Sequence, residues 1–295
     1  MSIRHAFLAV SALAASWALP AAAQDATAPT APPPGDSAPP ARPASVYDGN
    51  WLTAGAGAAY APDYSGSNDY KLSVLPVVTG KLGAIGISPR RAGLAFDLIN
   101  NSGGKVDLIL GPVAALRFER SGSIKDPYVA ALGKKKKAIE LGGTVGLGFS
   151  QVLNPYDKLS MTVDVLKDVN GAHRGTLVTP SVSYLTPLSR GIAATLSLSA
   201  THGSDRFVDY YSSVTPAQSL ASGLPAFAAR GGWTSAGATL LTGFDLDGDL
   251  TNGGAAVFLL GGYSRQLGDT AASPIVSLRG KKGTFLVGGG IGYTF

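Results

Sequence analysis

Residues 285–295, FLVGGGIGYTF, end the chain in mid-alternation, on an aromatic residue and without a polar tail. Soluble domains usually finish in a frayed polar terminus. In an extended backbone, Phe285, Val287, Gly289, Ile291, Tyr293 and Phe295 fall on one side. Leu286, Gly288, Gly290, Gly292 and Thr294 fall on the other. One face is bulky and apolar and the other is small.

The same two-residue period recurs upstream. Ile139, Leu141, Val145, Leu147 and Phe149 oppose Glu140, Gly142, Thr144, Gly146, Gly148 and Ser150. Leu159, Met161, Val163 and Val165 oppose Ser160, Thr162 and Asp164, and Leu196 and Leu198 oppose Ser197 and Ser199. A soluble sandwich turns its bulky face inward and covers the other with Lys, Glu and Arg. Here the second face is Gly, Ser, Thr and Ala, which suits a narrow interior with lipid on the opposite flank. The pattern predicts an all-β, antiparallel up-and-down transmembrane barrel of about twelve strands, within a range of ten to fourteen: about 51–60, 70–79, 81–88, 91–99, 105–118, 138–152, 158–168, 175–187, 190–202, 232–246, 254–267 and 284–295. Long and short connections alternate, as longer outside loops and short periplasmic turns require, apart from a very short third connection near Pro89. The ending Ile291, Tyr293, Phe295 then reads as the signal by which barrel-assembly machinery takes hold of a last strand. An open edge in lipid leaves backbone groups unpaired, so that strand must close onto the first.

The start of the 295-residue chain reads as targeting rather than structure. Arg4 and His5 precede a short apolar stretch, and Ala21–Ala23 offer a cleavage site, so residues 1–23 are expected to be a removed signal peptide. Residues 24–46 are rich in Pro and Ala and read as a disordered periplasmic tether, whose twenty or so residues reach on the order of 60 Å in extended form. The barrel is expected over 47–295, in the cell outer membrane. With no cysteine, disulfides and thiolate chemistry are absent. A mean hydropathy of +0.18 without a run of eighteen apolar residues argues for strands, not helices, across the membrane.

Several connections resemble one family, the MipA/OmpV family of outer-membrane proteins. After the first strand, AAYAPDYSGSNDY is similar to its Y-x-P-x-Y-x-G-S pattern through Tyr60, Pro62, Tyr64, Gly66 and Ser67. DVNGAHRG resembles its G-x-H-x-G segment at Gly171, His173 and Gly175, and Gln218, Ser219, Ser222, Gly223 and Leu224 match Q-S-x-x-S-G-L. LGDTAASPIV resembles the family's last loop at Asp269, Ser273 and Pro274. The resemblance implies a non-enzymatic barrel without cofactor. It implies a scaffold linking peptidoglycan-remodelling enzymes, a lytic transglycosylase (MltA) and a penicillin-binding protein, to the outer membrane. Other members are linked to osmotic response, adhesion and drug susceptibility.

Five candidate features remain. Thr215, Pro216, Gln218 and Gly223 spell a capped short helix, either a plug or recognition lid over the mouth or simply order within a loop of about thirty residues. Lys134, Lys135, Lys136, Lys137, Lys281 and Lys282 lie in two outside loops, where lipopolysaccharide phosphates would attract them; nucleic acid is not an expected partner. His202 and Ser204 sit in the His-x-Ser arrangement of some rim esterases, with Asn170 as a third group only if its loop leans across; an ordinary rim histidine beside a loop serine is the favoured reading. Asp245, Asp247 and Asp249 hint at calcium but lack the Gly and Glu of a calcium loop, so they read as a periplasmic turn, and no metal site is expected. Inward charges at Asp107, Arg117, Glu119, Glu140 and Asp164 fit either a lined pathway, hence a small-solute channel, or pairs across a filled interior.

Overall fold

The computed structural model describes residues 45–98 and 104–295; the expected signal peptide (1–23) and nearly all of the tether lie outside them. Twelve antiparallel strands close in the order β1-β12-β11-β10-β9-β8-β7-β6-β5-β4-β3-β2. They are β1 (Trp51–Pro62), β2 (Tyr70–Leu82), β3 (Ile85–Arg90), β4 (Gly93–Asp97), β5 (Val106–Arg117), β6 (Ala138–Ser150), β7 (Lys158–Asp168), β8 (Thr176–Ser189), β9 (Ile192–Gly203), β10 (Gly232–Asp245), β11 (Gly254–Gln266) and β12 (Gly283–Thr294). No described helix is long and apolar enough to cross a membrane.

Closure happens where the terminal alternation predicts it. β12 runs along β1 from Thr53↔Thr294 to Tyr60↔Val287, and Leu52 and Phe295 exchange both backbone hydrogen bonds. The side chains of Phe285, Val287, Ile291, Tyr293 and Phe295 are exposed on the outer face. Inside, facing hydroxyls pair between strands: Thr162 with Ser181 at 2.8 Å, Ser183 with Ser197 at 2.8 Å, and Thr53 with Thr294 at 2.7 Å. The inward glycines have a steric reason. A Cβ on Gly142 or Gly146 would run into the carbonyl of Val165 or Met161 on the next strand, so the tight curvature of β6 requires their absence.

The expected strands hold, with two displacements in the first third. β2 continues to Leu82, ending at Gly83 with φ 59°, and β3 therefore starts at Ile85 rather than 81. The third connection is a turn at residues 91–92, and Pro89 lies inside β3 rather than in the connection. The chain enters the barrel through a 3-10 turn, Val46–Asp48. Ser45 and Asp48 form its capping box, and the Val46 N–H donates to Thr251 O at 2.8 Å in the β10–β11 connection.

The connections at the opposite end carry five short helices: α1 (Pro127–Ala130), α2 (Asp205–Ser212), α3 (Pro216–Ser222), α4 (Gly268–Ala272) and α5 (Pro274–Ser277). They give the molecule a second apolar core outside the barrel wall. One cluster joins Tyr64, Val129, Leu132, Val214, Leu224 and Ile275, drawn from four different connections. Another packs Leu177 with Phe207, Val208, Tyr211 and Ala229.

Candidate functional site at the barrel mouth

α3 forms for the local reasons its sequence gives. Thr215 Oγ1 accepts from Gln218 N–H, the Gln218 side chain accepts from Thr215 N–H, Pro216 occupies the first turn, and Gly223 stops the helix at φ 75°. The free arm of Gln218 then donates to Leu132 O at 2.9 Å, tying the β9–β10 connection to the β5–β6 connection. The segment is thus tied into the neighbouring connections, and together these connections form a lid on this end of the barrel.

The lid crosses the lumen. β5 and β9 lie four positions apart in the sheet order, yet Arg117 at the top of β5 stacks on Phe207 of α2, 5.0 Å from the ring centroid. Arg117 grips Glu140 with two hydrogen bonds of 2.6 and 3.1 Å. Glu140 is 1 % exposed, and its Oε1 also lies 3.0 Å from His173 Nε2. His173 is in turn boxed by the rings of Phe207 and Tyr211 at 5.1 and 5.7 Å. A buried carboxylate thus meets one guanidinium and one imidazole directly under the lid, the kind of satisfied arrangement burial of a charge demands. Nearby, Arg120 donates to Tyr211 O at 2.6 Å, and burial lowers the pKa of its guanidinium. Burial also raises the phenols of the lid, Tyr64 to about 12 and Tyr211 further.

The family-like residues are the staples of this lid. Tyr64 is in its core; Gly66, at φ 81°, lies where a Cβ would meet Val276 at 2.8 Å; buried Ser67 bridges to Gly280. Gly175 N–H donates to His173 Nδ1 at 3.0 Å. Ser222 Oγ donates to Gln218 O and accepts from Leu224 N–H, and Ser219 O accepts from Gly223 N–H. Asp269 accepts from Arg230 N–H, and fully buried Ser273 donates to Ser212 O at 2.5 Å, with Pro274 opening α5 behind it. Tyr60 and Pro62 sit lower, at the end of β1, with Tyr60 stacked on Tyr70 at 5.1 Å.

The lysines divide. Lys134, Lys136, Lys137, Lys281 and Lys282 are exposed at this end of the barrel. Lys135 is half-buried, its Nζ 4.5 Å from the Tyr210 ring centroid, and burial pushes its ammonium down to about 8, with Arg120 adding repulsion. His202 and Ser204 are not brought together as a dyad. The His202 ring stands edge-on to Trp233 at 5.5 Å, whereas Ser204 Oγ accepts from Thr176 N–H at 2.9 Å and precedes α2. Asn170 is turned to β6, bonding Ile139 N–H and Lys137 O. At the other rim, Asp245 Oδ1 accepts from three successive backbone N–H groups, and Thr251 and Arg190 hold the Asp249 carboxyl down at about 2. No group of metal-ligating side chains stands together among the described residues.

The Glu140 site was only partly legible. The sequence marked Glu140 and Arg117 as inward charges and His173 as a motif residue, with nothing to say that a loop would fold back and join them. The other inward charges also pair: Asp107 with Lys158 at 3.0 Å, Asp164 with Arg90 at 2.8 Å, and Glu119 with Ser65 N–H at 2.6 Å.

No curated protein matches this chain. Among solved structures it is similar to an outer membrane channel from Pseudomonas putida, with 16% identity over 89% of this chain and 99% of that one and a TM-score of 0.44. It is similar also to in-vitro folded OmpT, an outer membrane protein of Vibrio cholerae (8% identity, 83% and 96% covered, TM-score 0.36), and to the CymD monoaromatic hydrocarbon channel (12% identity, 83% and 88% covered, TM-score 0.32). The architecture of this chain rests on its own strand pairing. The profile of the MltA-interacting protein MipA matches residues 54–295, from the first strand to the last residue. With that match over the whole barrel and its lid, the chain belongs to the MipA family of outer-membrane proteins.

Proposed function

We propose that this barrel is a non-enzymatic scaffold that holds peptidoglycan-remodelling enzymes, a lytic transglycosylase and a penicillin-binding protein, at the inner surface of the outer membrane. The observation that carries the reading is the mouth: loops from four connections share one apolar core above a buried Arg117–Glu140–His173 cluster, which disfavours solute passage as the main task. The family name points to the transglycosylase as partner. The entry turn at Val46–Asp48 is anchored to the β10–β11 connection, at the rim opposite the covered mouth, and leaves that rim open to a periplasmic partner. Photocrosslinkers placed at Tyr47 and Asp247 in intact envelopes should capture a transglycosylase; capture of no cell-wall enzyme from either position contradicts the scaffold.

The hydroxyl-lined lower lumen favours a second reading, a small-solute channel. Planar-bilayer recording of the refolded protein separates the two, since the scaffold reading expects no conductance steps. For the third, a rim esterase at His202 and Ser204, the expected result is no ester hydrolysis, and hydrolysis abolished by Ser204→Ala would reverse it.

A further inference from the structure

The barrel wall is unevenly stitched. β1 and β2 share twelve residue pairs, as do β5 and β6, but β2 and β3 share three: Gly80↔Ile87, Lys81↔Gly86 and Leu82↔Ile85. Above Gly80, β2 keeps β1 on one side and, among the described residues, has no paired strand on the other, apart from Thr79 Oγ1 donating to Ile87 O at 3.1 Å. Pro89, on the facing strand, has no N–H to offer. The short β3–β4 hairpin leans inward instead. Arg90 reaches Asp164 on β7 at 2.8 Å, and exposed Arg91 at the tip comes within electrostatic reach of Arg117, Glu119 and Glu140.

Exposure marks the same gap from outside. Leu72 and Val74 are 72 and 82 % exposed, more than any other large apolar side chain of the described strands. They lack the neighbour that shields their counterparts. A lintel closes the top, where Glu119 binds Ser65 N–H and Oγ and Lys125 Nζ donates to Tyr70 O at 2.5 Å. The result is a framed opening in the outer-leaflet half of the wall. In hydrocarbon each unpaired backbone group costs several kcal/mol, so such an edge persists only where lumen water reaches it. On the lumen side of β2, Leu75 and Val77 replace the usual hydroxyls between Ser73 and Thr79. The opening therefore has apolar flanks on both faces and, at its jamb, a guanidinium with no ion pair among the described residues.

We propose that the gap between β2 and the β3–β4 hairpin is a lateral portal from the outer leaflet, and that its ligand is a single-chain amphiphile with an anionic head. The tail lies along Leu72, Val74, Leu75 and Val77, and the head meets Arg91. Entry from the side is compatible with a covered mouth and does not depend on the scaffold reading.

The test uses the full-length barrel in phosphatidylcholine vesicles with three photoactivatable probes: palmitic acid, a single-chain lysophosphatidic acid, and the neutral palmityl alcohol. Mass mapping is expected to place the anionic probes on residues 70–79 and 87–92. Arg91→Glu should cut labelling there by about tenfold for the anionic probes, through loss of a charge attraction, and leave the alcohol unchanged. A preference between the first two probes identifies carboxylate or phosphate as the head. Uniform labelling around the belt, or equal loss for all three probes, overturns the proposal. Residue-resolved amide exchange checks the opening itself: alternate amides between Leu72 and Val78 should exchange faster than those of β1, and equal protection would show a zipped wall.

Discussion

His173 and Glu140, 33 positions apart in the chain, face each other at 3.0 Å beneath α2, and the imidazole is fixed in one tautomer. Its Nδ1 accepts the Gly175 N–H at 3.0 Å, so Nε2 carries the proton and donates to the carboxylate. Arg117 completes the shell from the other side. Removing the charge of Glu140 leaves Arg117 buried without its counter-ion. Glu140→Gln is expected to destabilise the folded barrel by about 3–5 kcal/mol, and Arg117→Met with Glu140→Met to recover most of that loss. Urea midpoints from gel mobility check both.

A glycine sets how the first outside loop packs. Gly66 holds φ 81° with Val276 in the place of a side chain. Gly66→Ala should cost the lid about 1–2 kcal/mol from backbone strain alone, with further loss from the displaced valine. Trypsin cleavage after Arg230 or Arg279 is expected to quicken, while strand content by circular dichroism stays constant.

Base should loosen the same lid. Burial raises the Tyr64 phenol from 10.0 to about 12, so the neutral form is the one that suits the fold. Stability from this group is complete below pH 10 and is lost as pH rises towards 12. Protease resistance of the lid should fall over that window in the native chain, and the fall should shrink in Tyr64→Phe.

Phe295 separates assembly from stability. Its backbone closes the barrel against Leu52, but its side chain is 67 % exposed and touches the ring of Tyr293 at 4.7 Å. Phe295→Ala is expected to slow insertion by the assembly machinery while lowering the stability of the folded protein by less than about 1 kcal/mol. Pulse-chase folding in cells and urea midpoints of purified protein read the two effects apart.

Lid removal tests what the mouth restrains. Replacing residues 205–230 by a short Gly/Ser link deletes α2 and α3 and uncovers Glu140 and His173. Single-molecule recordings are then expected to show conductance steps, and none from the intact barrel.

The barrel itself was readable because each strand repeats one physical rule, greasy outward and small inward, and the hairpin turns interrupt it. The α3 helix was readable because a cap, a proline and a terminal glycine are local signals. β2, β3 and β4 were less so: Gly83 ends one strand later than the alternation suggests, and Pro89 is accommodated in a strand with an unpaired edge. The Glu140 cluster and the opening beside β2 depend on which loop folds over which strand. Spacing within a segment does not carry that information. Lys135 looked like its neighbours in sequence and differs because the fold half-buries it, against the Tyr210 ring and near Arg120.

The outer apolar cluster joins Tyr64, which follows the first strand, to Ile275, which precedes the last. Neither can reach the other's position until the ring of strands has met itself, so this patch comes into being only at the end of biogenesis. On the cell surface it is a feature that half-inserted chains lack. A binder raised against the loop surface that this packing assembles around it would count finished molecules and pass over the rest.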